Sequence, residues 1–202
     1  MTNEIQAPLH DIIRRAAERK GSGAAEQAKA LERQQAVIRS ERVSRSTKGV
    51  KVLVCDYSGS MGDLVNGTRK IDHLRIAVAD CLKRWPDMRI VAFSAIAQEV
   101  KAVPEPYGGT DLTAGLSVTA EMKPERSVVI TDGYPNDRHT ALDMAKKMSG
   151  VIDVVYCGHD TDLDAIQFMQ DLAAAGCGRQ VTWEGQTLAL GEHVERLMLG
   201  AG

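Results

Sequence analysis

Residues 52–63 read VLVCDYSGSMGD. An apolar run stops at Asp56, and Asp56, Ser58 and Ser60 then follow at alternate positions, with glycines at 59 and 62. A nearly continuous apolar run marks a strand covered on both faces, as in a parallel sheet. The oxygen-bearing residues fall where that strand ends. Glycine permits a tight turn and close backbone approach, and the alternation lets a turning chain present Asp56, Ser58 and Ser60 toward one point. Taken alone, the stretch is equally a turn or a helix cap, for which Asp and Ser are common.

Outward from this strand, read as residues 50–55, strands and helices alternate. A helix is predicted at 71–85, with Leu74, Val78, Ala79 and Leu82 on one face, then a strand at 88–93 and a short edge strand at 97–103. Helices at 112–122, 138–148 and 163–175 alternate with strands at 127–131, 151–157 and 180–183, and a last helix starts near residue 188. Such alternation builds a mostly parallel α/β sheet with helices on both faces.

Residues 1–48 differ in character and are read as a helical arm and linker before a domain at 49–202. Leu9, Ile12, Ile13, Ala16 and Ala17 follow the spacing of an amphipathic helix. Residues 21–23, Gly-Ser-Gly, interrupt it, and Ala24, Ala28, Leu31 and Ile38 mark a weaker second stripe before a linker at 44–49. The arm either packs on the body or docks a partner. Up to Gly49 there are 10 Lys/Arg against 6 Asp/Glu, so the arm is basic and the remainder acidic. Arg14, Arg15 and Arg19 read as a solvated helix face, since no aromatic residues interleave them as in a nucleic-acid footprint.

The 202 residues suffice for one substantial core. Cys55, Cys81, Cys157 and Cys177 form no CxxC pair or compact framework, which suits a reducing compartment. No apolar signal-peptide core opens the sequence, and no run approaches a membrane span. A cytoplasmic, soluble protein without nucleic-acid or membrane partners is expected.

In open α/β sheets, ligands bind beyond the carboxyl ends of the strands, near the switch in strand order. Asp56, Ser58 and Ser60 belong there. So do two further loops, YGGTDL at 107–112 and TDGYPND at 131–137, which bring Thr110 and Asp132. Hydroxyls and carboxylates are hard ligands that suit Mg²⁺, Mn²⁺ or Ca²⁺ rather than zinc. Three such loops converging on one edge favour a metal cradle over a set of unrelated turns.

From residue 50 onward the chain resembles a von Willebrand factor type A (VWA) domain. DYSGSM matches the D-x-S-x-S metal-ion-dependent adhesion site (MIDAS) of that family, GGTDL its threonine loop and ITDG its last aspartate loop. The resemblance implies a doubly wound, six-stranded sheet with one short antiparallel edge strand. It implies that Ser58 and Ser60 ligate Mg²⁺ directly, Thr110 directly or through water, and Asp56 and Asp132 mostly through waters. It further implies a non-enzymatic module in which the ion captures an Asp or Glu of a partner protein, and a shift of the last helix on binding. Intracellular relatives suggest an accessory subunit of an AAA+ or stress-response system.

A metal-dependent hydrolase, such as a phosphatase, is the rival reading, and a metal-free scaffold the third. The hydrolase lacks an evident base, and neither serine sits in G-x-S-x-G. No nucleotide-binding glycine motif occurs. Asp63 stands where integrin relatives carry an acid of a second metal site, but Leu64 occupies the place of its usual partner, so an exposed turn acid is expected. Residues 160–171 place acids like an EF-hand loop, yet Ala165 replaces the required glycine and Asp171 the glutamate. Asp162 as a helix cap explains them better. His10, His73, His139, His159 and His193 form no metal-binding pattern, although His139 and His159 belong near the ligand edge.

Overall fold

The computed structural model describes residues 22–133, 135–185 and 189–200. The expected helix around Leu9–Ala17, with His10, Arg14, Arg15 and Arg19, lies outside them. The chain runs α1 (Ser22–Ser44), β1 (Thr47–Asp56), a 3-10 turn (Gly59–Gly62), β2 (Leu64–Val65), β3 (Thr68–Arg69) and α2 (Lys70–Arg84). It continues through β4 (Arg89–Phe93), β5 (Ala97–Val100), α3 (Leu112–Glu121), β6 (Pro124–Thr131) and α4 (Arg138–Lys147). β7 (Val151–Tyr156), α5 (Leu163–Ala175), β8 (Cys177–Thr182) and α6 (Leu190–Leu199) complete it.

Six strands form one sheet in the order β5-β4-β1-β6-β7-β8, parallel except for the β4–β5 edge pair. Side chains alternate across a strand, and here both sets are buried. Leu53 and Cys55 of β1 join Val128, Ile130 and Val155 beneath α2 and α6, which add Leu74, Val78, Val194 and Met198. Val52 and Val54 face the other way with Val129, Ile152 and Val154, beneath Leu116 of α3, Ala141 of α4 and Phe168 of α5. This two-sided burial is why the strands read as nearly continuous apolar runs.

After β1 the chain enters α2 on one face of the sheet; after β6 it enters α4 on the other. The loops leaving these neighbouring strands therefore diverge, and a crevice opens between them at the carboxyl edge. Helices α3, α4 and α5 are capped by Asp111, Asp137 and Asp162, whose side chains accept from the backbone N–H three residues on. The expected role of Asp162 is the observed one.

β1 begins at Thr47, so residues 47–49 are strand rather than linker. Gly49, at φ +81°, takes up the irregularity where the pairing with β6 shifts register between Thr47 and Lys51. The β2–β3 hairpin adds two short strands to the predicted elements. Its turn is Asn66-Gly67, both at positive φ (50° and 80°), the dipeptide that a two-residue hairpin turn favours.

Residues 26–41 of α1 are exposed or half-exposed, and Arg42 is buried. Its Nε donates to the Gly150 carbonyl at 2.8 Å, Nη1 to Lys146 (2.9 Å) and Ala175 (3.3 Å), and Nη2 to Ala145 (2.9 Å). The last carbonyls of a helix lack intrahelical donors and carry the negative end of its dipole. One guanidinium thus serves the ends of α4 and α5 together. Arg42→Met leaves these carbonyls unpaired and is expected to lower stability by about 2–4 kcal/mol in urea unfolding. A loss below about 0.5 kcal/mol would mean that water replaces the guanidinium without penalty.

Candidate functional site

Asp56 is the last residue of β1 and is wholly buried. Parallel pairing of Cys55 with Ile130 brings Thr131, at the end of β6, beside it. Thr131 Oγ1 donates to Asp56 Oδ2 at 2.5 Å, and the Ser58 amide donates to Oδ1 at 2.7 Å. Both carboxyl oxygens are thereby engaged, and the chain is held in its turn out of the sheet. Burial raises the Asp56 pKa to about 7; the hydrogen bonds from Thr131 and Ser58 act against that rise, and the Asp132 charge adds to it.

The 3-10 turn follows, closed by bonds from Met61 N to the Ser58 carbonyl and from Asp63 N to the Ser60 carbonyl. Met61 is fully buried and fixes the turn to the core, which leaves Ser60 exposed above it. Ser58 Oγ lies 3.2 Å from Ser60 Oγ, and Ser60 Oγ donates to Asp132 Oδ1 at 2.8 Å. The threonine loop is held against this turn: Gly59 N donates to the Gly108 carbonyl at 3.1 Å and Tyr107 N to the Tyr57 carbonyl at 2.8 Å. Asn136 N donates to the Thr110 carbonyl at 2.9 Å, which joins the threonine and aspartate loops.

A Cβ built on Gly133 would stand 3.9 Å from both Ser60 Oγ and Thr110 Oγ1. The two hydroxyls therefore flank one point beside the Asp132 backbone. Asp56, Ser58, Ser60, Thr110 and Asp132 lie on the three loops of the β1–β6 crevice, and all but Ser60 are buried. Among the described residues no three His, Cys, Asp or Glu side chains converge as they do in carboxylate-rich or imidazole metal sites. Here two carboxylates stand with three hydroxyls.

Sequence reasoning missed Lys70. It is the first residue of α2, its side chain is 10% exposed, and its Nζ donates to Asp132 Oδ2 at 2.6 Å, where the Asp132 side chain is wholly buried. The Ser60 carbonyl lies at 3.5 Å and the exposed Asp63 carboxylate at 3.8 Å. A cation at a helix N-terminus opposes the helix dipole, and that mismatch was the available signal that Lys70 is held by something else. Lys70 forms part of the wall of an open cleft of about 530 Å³, with Ser60 and Asp132 beside it and Tyr156 and His159 also lining it.

The remaining candidates keep ordinary roles. Asp63 is a largely exposed turn acid. Asp171 accepts a bond from Gln167 within α5, away from any EF-hand-like arrangement. His139 is exposed beside Asp143, and His73 packs edge-on against Trp183 at 4.9 Å.

The raised pKa of Asp56 sets a pH dependence with a definite sign. Between the ordinary value of 3.8 and about 7, the unfolded chain has released this proton while the folded chain retains it. Folded stability in the presence of a chelator should therefore fall as pH rises through that window and level off above it. Thermal melts of Asp56→Asn should lack this component of the slope; identical profiles would show that Asp56 ionises normally.

No family model matches the sequence, and no curated protein matches it. Among solved structures the chain is similar to an aerotolerance-related membrane protein from Bacteroides fragilis bearing multiple mutations to serines. The TM-score is 0.58 at 13% identity, over 75% of this chain and 98% of that one. It is also similar to the VWA domain of SpRpn10, with a TM-score of 0.54 at 14% identity over 76% of this chain and 97% of that domain. At such identities the likeness speaks for architecture alone: the body of this chain has the α/β fold of VWA domains.

Proposed function

We propose that this protein is a non-enzymatic binding module in which Asp56, Ser58, Ser60, Thr110 and Asp132 hold a Mg²⁺ ion, with Mn²⁺ or Ca²⁺ as alternatives. The ion would accept an Asp or Glu side chain from a partner protein. The observation that carries this reading is the set of neutral hydroxyls gathered over two buried carboxylates, with Ser60 and Asp132 of that set lining an open cleft. Adjacent ligands on an octahedral Mg²⁺ stand about 2.9–3.0 Å apart, and about 3.4 Å apart on Ca²⁺. The 3.2 Å between Ser58 Oγ and Ser60 Oγ falls between these two spacings. The space beside Gly133 is open because that residue has no Cβ.

In this reading Ser58, Ser60 and Thr110 supply hydroxyl oxygens, and Asp56 orients Ser58 through its amide. When bound, the ion supplies an electrophilic position that a partner's carboxylate fills. The rival hydrolase needs a base free to take a serine proton. Ser60 does bond to Asp132, but the other oxygen of Asp132 is committed to Lys70.

Calorimetric titration of Mg²⁺, and separately Mn²⁺, into chelator-stripped protein tests the site. Asp56→Ala and Ser58→Ala are each expected to weaken binding at least about tenfold. A partner captured from lysate should release on chelation. Retention of the partner in chelator would remove the metal from the mechanism, and phosphoesterase activity lost in Asp56→Ala would favour the hydrolase.

A further inference from the structure

Lys70 is an unusual occupant of such a site. Once Asp56 is ionised, it and Asp132 would together balance the charge of a divalent cation, and the Lys70 ammonium adds a further positive charge on the same Asp132 carboxylate. Asp63 faces Lys70 from 3.8 Å, but its side chain is 71% exposed, so solvent screens it. Lys70 itself is enclosed: its helix starts from the β2–β3 hairpin, and its amide is tied to the Asp63 carbonyl at 3.0 Å. The ammonium therefore cannot swing away without breaking a buried ion pair.

We infer that Lys70 couples cation binding at this site to the arrival of an acidic ligand. In the cation-free protein Lys70 satisfies Asp132. With a divalent cation held and both acids ionised, the site would carry one excess positive charge, that of Lys70. A carboxylate from outside neutralises that excess, so each ligand strengthens the binding of the other. This inference rests on the metal site proposed above. Even in the dielectric of water, repulsion between a divalent ion and an ammonium across one carboxylate weakens cation binding about tenfold.

The test is calorimetric titration of Mg²⁺ into the wild type, Lys70→Met, Lys70→Gln and Lys70→Arg, in chloride buffer and again with acetate as the carboxylate probe. Wild type and Lys70→Arg should bind Mg²⁺ weakly in chloride and more tightly with acetate. Lys70→Met and Lys70→Gln should bind about tenfold more tightly in chloride and respond less to acetate. Lys70→Gln keeps a donor for Asp132 and serves if Lys70→Met does not fold. Equal or weaker Mg²⁺ binding in the neutral variants, or an acetate response that survives in them undiminished, would overturn the role of Lys70. If Asp56→Ala still abolished binding in that case, the metal site would stand without it. Absence of Mg²⁺ binding in all four proteins, with acetate present, would overturn the site itself and this inference with it.

Discussion

A carboxylate at the end of a strand buried on both faces has few options: it must keep its proton, find donors, or meet a cation. Asp56 is in that position because β1 lies at the centre of the sheet, between β4 and β6. Its two oxygens accept from Thr131 and from the Ser58 amide, and those bonds determine how the chain leaves the sheet. The direction of that exit places Ser58 and Ser60, and the buried Met61 keeps it in place. Neighbouring loops are then docked onto this turn by backbone hydrogen bonds, so the whole carboxyl edge is organised around one buried acid.

The second acid, Asp132, is compensated differently. Its oxygens are divided between the Ser60 hydroxyl and the Lys70 ammonium, so it is buried as one member of an ion pair. The two carboxylates of the crevice thus carry different electrostatic histories. One is pushed toward its acid form by desolvation, and the other has a positive partner within hydrogen-bonding distance.

Much of the architecture was legible because burial on both faces writes itself directly into composition: VLVC, SVVIT and VIDVVY have little else to be than central strands. The crevice was legible for a topological reason, since loops after parallel strands gather on one edge whatever their sequence. Individual tertiary contacts of charged residues left no such trace. Arg42 sits in a helix rich in charge, and nothing local separates it from Arg39 or Arg45, which are exposed. Its acceptors lie more than 100 residues away. Lys70 was hidden in the same way, its partner 62 residues distant. The Asn66-Gly67 hairpin was written in the sequence but is only two residues deep on each side, too short for a periodicity to declare it.

The placement of Arg42 also gives the molecule a polarity. Gly150 directly precedes β7 and Thr47 opens β1, so α1 joins the body at the amino ends of the strands, opposite the edge that carries Asp56. β1 alone spans about 30 Å between these poles. The molecule therefore anchors its first described helix at one pole and gathers Asp56, Ser58 and Ser60 at the other.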